Sequence, residues 1–121
     1  MEHKIVQLDE KTVDDFWRLR KALFLELGEV SDEMDISELK SSTEQYYLSH
    51  INKDLLSWGL YREGKIAAVG SLCLFSRIPY QENLSGLEGY ILNIYTSEQF
   101  RKRGFASEIL DTIMEYGKRH N

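Results

Sequence analysis

The apolar positions change period several times along the chain, and each change marks an element. KIVQL at 4–8 predicts a short strand. From Asp14 to Leu27, Phe16, Trp17, Leu19, Ala22, Leu23, Phe24, Leu25 and Leu27 recur at helical spacing with one broad apolar face. Asp9 and Thr12 stand where a helix cap is expected, and Gly28 where the helix stops. An acidic loop, EVSDEMD at 29–35, leads to a second helix over 36–51, whose stripe is less regular because SSTEQ interrupts it.

The period then shortens. LLSWGLY at 55–61 and IAAVGSLCLFS at 66–76 read as two strands joined by a tight turn at REGK, 62–65. Pro79 ends the second strand or opens the next loop. LEGYILNIYT at 87–96 is apolar on both faces except at Asn93, which places it centrally between two layers. The strongest helix runs from Phe105 to about Arg119, with Ala106, Ile109, Leu110, Ile113, Met114 and Gly117 at spacings of three and four. The order is therefore β-α-α-β-β-β-α, an α/β chain forming one domain over 1–121. An apolar strand followed by a helix is also the first part of a β-α-β crossover, whose returning parallel strand is expected next. The domain is thus expected to be incomplete at its C-terminus, or to take that strand from another copy as a homodimer.

Composition adds exclusions. Hydrophobic residues make up 42% of the 121 and charged residues 29%, which suits a soluble globular domain. The formal net charge of -5 argues against nucleic acid or an anionic membrane as a bulk partner. Cys73 is the sole cysteine, so neither an internal disulfide nor a thiolate zinc site is expected. The three histidines are scattered without metal spacing. MEHKIVQLDEK contains no apolar leader core, and no apolar run approaches the roughly 20 residues that span a bilayer. A cytoplasmic location is expected. Trp17, Phe24 and Trp58 read as core, Cys73 likewise, and Tyr46, Tyr47 and Tyr61 as partly exposed.

The chemistry concentrates where the last helix begins. In FRKRGFAS, 100–107, three cationic side chains precede a glycine and a helix start. Cations repel the positive end of a helix dipole, so their placement there favours a bound anion. The first-turn N–H groups are free donors, Gly104 permits a tight turn with close ligand approach, and Ala106 is small enough not to block a phosphate.

Arg101-Lys102-Arg103-Gly104-Phe105-Ala106 resembles the Arg/Gln-x-x-Gly-x-Gly/Ala signature of the GCN5-related N-acetyltransferase superfamily, and the element order resembles its β1-α1-α2-β2-β3-β4-α3 portion. The resemblance implies the mixed-sheet fold of that family, lacking its β5-α4-β6-β7 part. It implies acetyl-CoA as cofactor and a primary amine of a small molecule or peptide as acceptor. Backbone N–H groups across 102–106 would hold the diphosphate, with Arg101, Lys102, Arg103, Gly104, Phe105 and Ala106 as the binding segment. Leu92, Ile94 and Tyr95 would line the pantetheine arm. Asn93 is the candidate for orienting the arm or the amine, and Glu88 the candidate base, acting through water. Many relatives have proline where this chain has Glu98, and no residue takes the role of the tyrosine that protonates the leaving thiolate. The competing expectation is an acyl-CoA-binding or strand-exchanged association module without catalysis.

Overall fold

The computed structural model describes residues 3–120. Met1, Glu2 and Asn121, the ends of the expected 1–121 domain, lie outside the described residues. Strand β1 (His3–Gln7) is followed by helices α1 (Val13–Leu27) and α2 (Ser37–His50). Strands β2 (Leu55–Arg62), β3 (Lys65–Ser76) and β4 (Leu87–Thr96) come next, then helix α3 (Phe105–His120). The expected boundaries agree within a residue or two.

The local reasons are those written in the sequence. The Asp9 side chain accepts from the Lys11 N–H, and the Thr12 hydroxyl accepts from the Asp9 N–H, so a reciprocal cap closes the 3-10 turn at Glu10–Thr12 that leads into α1. α1 ends at Gly28, where the Gly28 and Glu29 N–H groups close on the Leu25 and Phe24 carbonyls. Glu63 and Gly64 form the turn between β2 and β3.

The four strands form one antiparallel sheet in the order β1-β2-β3-β4, so β4 is an edge among the described residues. Two apolar clusters lie on opposite faces. Phe16 and Leu19 of α1 and Tyr47 of α2 pack with Leu55, Val69 and Tyr95 on one. Phe105, Ile109 and Ile113 of α3 pack with Trp58, Ala68 and Leu72 on the other. Covered on both sides, β3 reads as a nearly continuous apolar run. No helix among the described residues is long and apolar enough to cross a membrane.

Three expectations about side chains are corrected. Tyr47 is fully buried, not partly exposed. Its hydroxyl donates to the Asp9 carbonyl at 2.7 Å and its ring meets Phe16 at 4.4 Å, and burial pushes the phenol up to about 12. Cys73 is only half-buried, with its sulfur 3.9 Å from the Tyr46 hydroxyl. Phe24 is half-buried as well, because its ring lies under the Arg20 guanidinium, 4.7 Å from the centroid.

Candidate active site

β4 carries the site, and its register explains how. Ser71 pairs with Leu92, whereas Val69 pairs with Tyr95, so Gly70 faces two residues, Asn93 and Ile94. This is a β-bulge, with Asn93 in the left-handed region at φ 58°. Asparagine is one of the few side chains that adopts that conformation readily. The extra residue breaks the alternation. Leu92 and Asn93 both face a cavity under α1 and α2. Ile94 turns to the α3 face, and Tyr95 returns to the α1 face.

Asn93 is buried, and its Oδ1 accepts from Arg20 Nη1 at 3.1 Å. Among the described residues its Nδ2 has no partner, nor has the buried Thr96 Oγ1 further along the strand. An unmet buried donor is costly, so the amide is set to donate to an acceptor not among the described residues. The cavity beside it has a volume of about 310 Å³. Arg20, Cys73 and Tyr46 also line it, and none of the three was picked out from the sequence as a site residue. A signal was present: Phe16, Arg20 and Phe24 recur every four residues, which sets a cation inside an aromatic stripe on the buried side of α1.

Glu88 lies opposite Phe75, and Leu92 opposite Ser71. Strand alternation puts Glu88 on the same face of β4 as Leu92, four residues and roughly 13 Å before it, yet Glu88 does not line that cavity and borders a separate one with Tyr80, Ile91 and Tyr116 beside α3. Its carboxylate accepts from Arg77 Nη1 at 3.2 Å and from the Tyr80 hydroxyl at 3.0 Å. The Arg77 hydrogen bond first, and that of Tyr80 second, hold it below the usual carboxylate range. Glu88 is thus ionised at neutral pH and a weak base.

Beyond β4 the chain turns through 98–100 into the basic segment. Arg101 does not project outward. Its Nε donates to the Thr96 carbonyl at 3.0 Å, Nη2 pairs with Glu26 of α1, and the guanidinium lies 5.4 Å from the Tyr95 ring centroid. The Tyr95 hydroxyl donates to the same Glu26 carboxylate at 3.2 Å. Glu26 therefore clamps the end of α1 to the end of β4. The Arg101 hydrogen bond is the main reason its carboxyl is lowered. A lowered carboxyl stabilises the fold above its unfolded pKa, and that contribution fades as pH falls through the folded value. Glu26→Gln is expected to lower the melting temperature at pH 7 and to match the unmodified chain below about pH 3. An equal deficit at both pH values would show that the clamp is not ionic.

With Arg101 anchored, Lys102 and Gly104 adopt left-handed backbones at φ 66° and 77°. Among the described residues, none of the N–H groups from Lys102 to Ser107 donates to a backbone or side-chain acceptor. Alternating backbone handedness with free N–H groups makes an anion-binding concavity. A Cβ on Gly104 would meet nothing within 4 Å, so the concavity is open above the glycine. Lys102 and Arg103 are exposed at its rim, while the Phe105 side chain is core and offers only its N–H. α3 adds its dipole from behind.

The Acetyltransferase (GNAT) family model matches residues 15–121. The chain belongs to the GNAT acetyltransferase family. No curated protein shows a significant match to it. Among solved structures of this fold, a predicted acetyltransferase from Clostridium acetobutylicum, determined with acetyl-CoA, has a TM-score of 0.80 at 24% identity. That likeness covers 98% of this chain and 75% of the other. A GCN5-related N-acetyltransferase from Ralstonia eutropha gives 0.81 at 21% identity, over 98% and 78%. An aminoglycoside acetyltransferase from an uncultured soil metagenomic sample gives 0.68 at 18%, over 97% and 70%. The segment that resembles the GNAT signature, 101–106, is this open concavity at the end of the bulged strand.

Proposed function

We propose that this GNAT chain binds acetyl-CoA along the outer edge of β4 and directs acetyl transfer to the primary amine of a small molecule or peptide. The observation that carries the reading is the row of unpaired N–H groups at the start of α3, open to solvent above Gly104. When bound, acetyl-CoA supplies a thioester acyl group for direct attack by a neutral amine. The free N–H groups from Lys102 to Ala106 donate to the diphosphate oxygens, with Lys102 and Arg103 adding charge from the rim. Arg101 acts through Glu26 and Thr96 to hold that loop in place. The edge of β4 at Leu92, Ile94 and Tyr95 offers backbone donors and acceptors to the pantetheine amides. Asn93 lies where the bulge meets the cavity and orients the incoming amine.

Glu88 takes the amine's proton through intervening water in this scheme. Glu88→Gln is expected to lower turnover roughly 100-fold, with acetyl-CoA affinity kept within twofold. Thiol release over an amine panel, with calorimetry alongside, reads both. Unchanged turnover removes Glu88 from the reaction. The second reading, acyl-CoA binding without turnover, draws support from the two hydrogen bonds that already engage Glu88. It is upheld if the chain binds acetyl-CoA but releases no thiol with any amine.

A further inference from the structure

The cavity under α1 and α2 has Arg20 and Asn93 as donors at one end and a mostly apolar surface elsewhere, broken by Ser42, Thr43 and Tyr46. Arg20 is the cation there. Its guanidinium has five N–H donors, of which Nη1 is used by Asn93. Among the described residues no carboxylate lies within ion-pairing distance of it. Half-buried, it has lost part of its water, which lowers its pKa, and Glu29 favours its charge only from a distance. The neighbouring Nδ2 of Asn93, in a side chain that is nine-tenths buried, is a second donor without a partner. Phe16, Leu55 and Leu92 line the apolar part.

We propose that the acceptor of this site is a small amino-carboxylate, a free amino acid with an apolar side chain, whose carboxylate is held by Arg20 and Asn93. The inference rests on the acetyl-transfer reading above. A planar carboxylate matches the guanidinium fork, and its remaining lone pairs accept from the Asn93 amide. With the carboxylate fixed at the bulge, the adjacent amine is held next to the free edge of β4. About 310 Å³ is room enough for an amino acid. A polyamine or aminoglycoside would instead place an ammonium against a guanidinium that has no carboxylate partner.

Binding is measured by calorimetry on the full chain, with and without saturating desulfo-CoA. The probes are L-leucine, L-leucinamide, the aminophosphonate analogue of leucine, and putrescine. Leucine is expected to bind at least ~10-fold tighter than leucinamide, and putrescine not to compete. Arg20→Gln is expected to erase that preference and Arg20→Lys to keep part of it, since a lysine retains the charge without the fork. The comparison of leucine with leucinamide on the unmodified chain stands whether or not the variants fold. Equal affinity for leucine and leucinamide, no binding of either, or a preference that survives Arg20→Gln overturns the proposal. Tighter binding of the phosphonate than of leucine overturns the carboxylate assignment. Acetyl-CoA binding measured in the same samples separates the two levels. If acetyl-CoA binds without any carboxylate preference, only this inference falls. If the preference holds and acetyl-CoA does not bind, the acetyltransferase reading falls and the anion site stands.

Discussion

Gly104→Glu is expected to weaken acetyl-CoA binding at least ~100-fold, about 2.7 kcal/mol, while the chain stays folded. Two effects combine. A side chain at φ 77° costs roughly 1 kcal/mol of backbone strain. The larger effect is charge: Gly104 is exposed and a Cβ there meets nothing, so the new carboxylate reaches the space above the free N–H groups without disturbing the core. It either fills the cradle itself or repels the diphosphate. Gly104→Asn separates the two effects, since asparagine accepts the left-handed backbone and carries no charge. A smaller loss, within ~10-fold, is expected for it. Calorimetry with acetyl-CoA measures both variants, and circular dichroism melts check the fold. Equal losses in the two would show that backbone strain, and not charge, governs the site.

The second large effect belongs to Gly70, the residue of β3 that faces the bulge. A Cβ at Gly70 would lie 2.4 Å from Ile109 Cγ2 and 2.7 Å from Ile94 Cδ1. Ile109 is fully buried at the centre of α3's packing face, so it has little freedom to yield. Gly70→Ala is therefore expected to destabilise the fold by about 2 kcal/mol through overpacking. The same push displaces α3, whose first turn makes the anion cradle, so acetyl-CoA affinity is expected to fall as well. Ile109→Ala alone costs about 2–5 kcal/mol by leaving a cavity. In the double variant the added methyl occupies part of that cavity, and the combined cost should be less than the sum. Urea unfolding midpoints of the four chains close the cycle. Strict additivity would mean that Gly70 and Ile109 do not meet.

These two positions also show what the sequence makes legible. The helix starting at Phe105 and its preceding basic run carry a short-range signal: apolar spacing, a glycine, and charge against the dipole. Nothing distant is needed to read it. That Glu88 and Leu92 share a face of β4 is likewise a matter of strand alternation. The bulge at Asn93 is different. A polar residue in an apolar strand is visible, but the bulge that turns it is set by the pairing of Leu92 with Ser71 and of Tyr95 with Val69, more than twenty residues earlier on β3. Without the bulge, alternation would turn Asn93 toward α3 and away from the cavity. Arg101 is a similar case. Its place in the basic run suggests a phosphate ligand, whereas Glu26, seventy-five residues earlier, draws the guanidinium inward. Tyr47 is buried because Asp9 and Phe16 surround it, and no local pattern in α2 announces that. Arg20 was hidden by its own aromatic neighbours, which read as core.

Amide-resolved NMR during titration with coenzyme A tests the central claim most directly. The account predicts that the N–H signals of Lys102 to Ser107 move first and farthest, with smaller shifts along β4 from Leu92 to Thr96. Shifts that bypass the start of α3 and gather elsewhere on the molecule would contradict it.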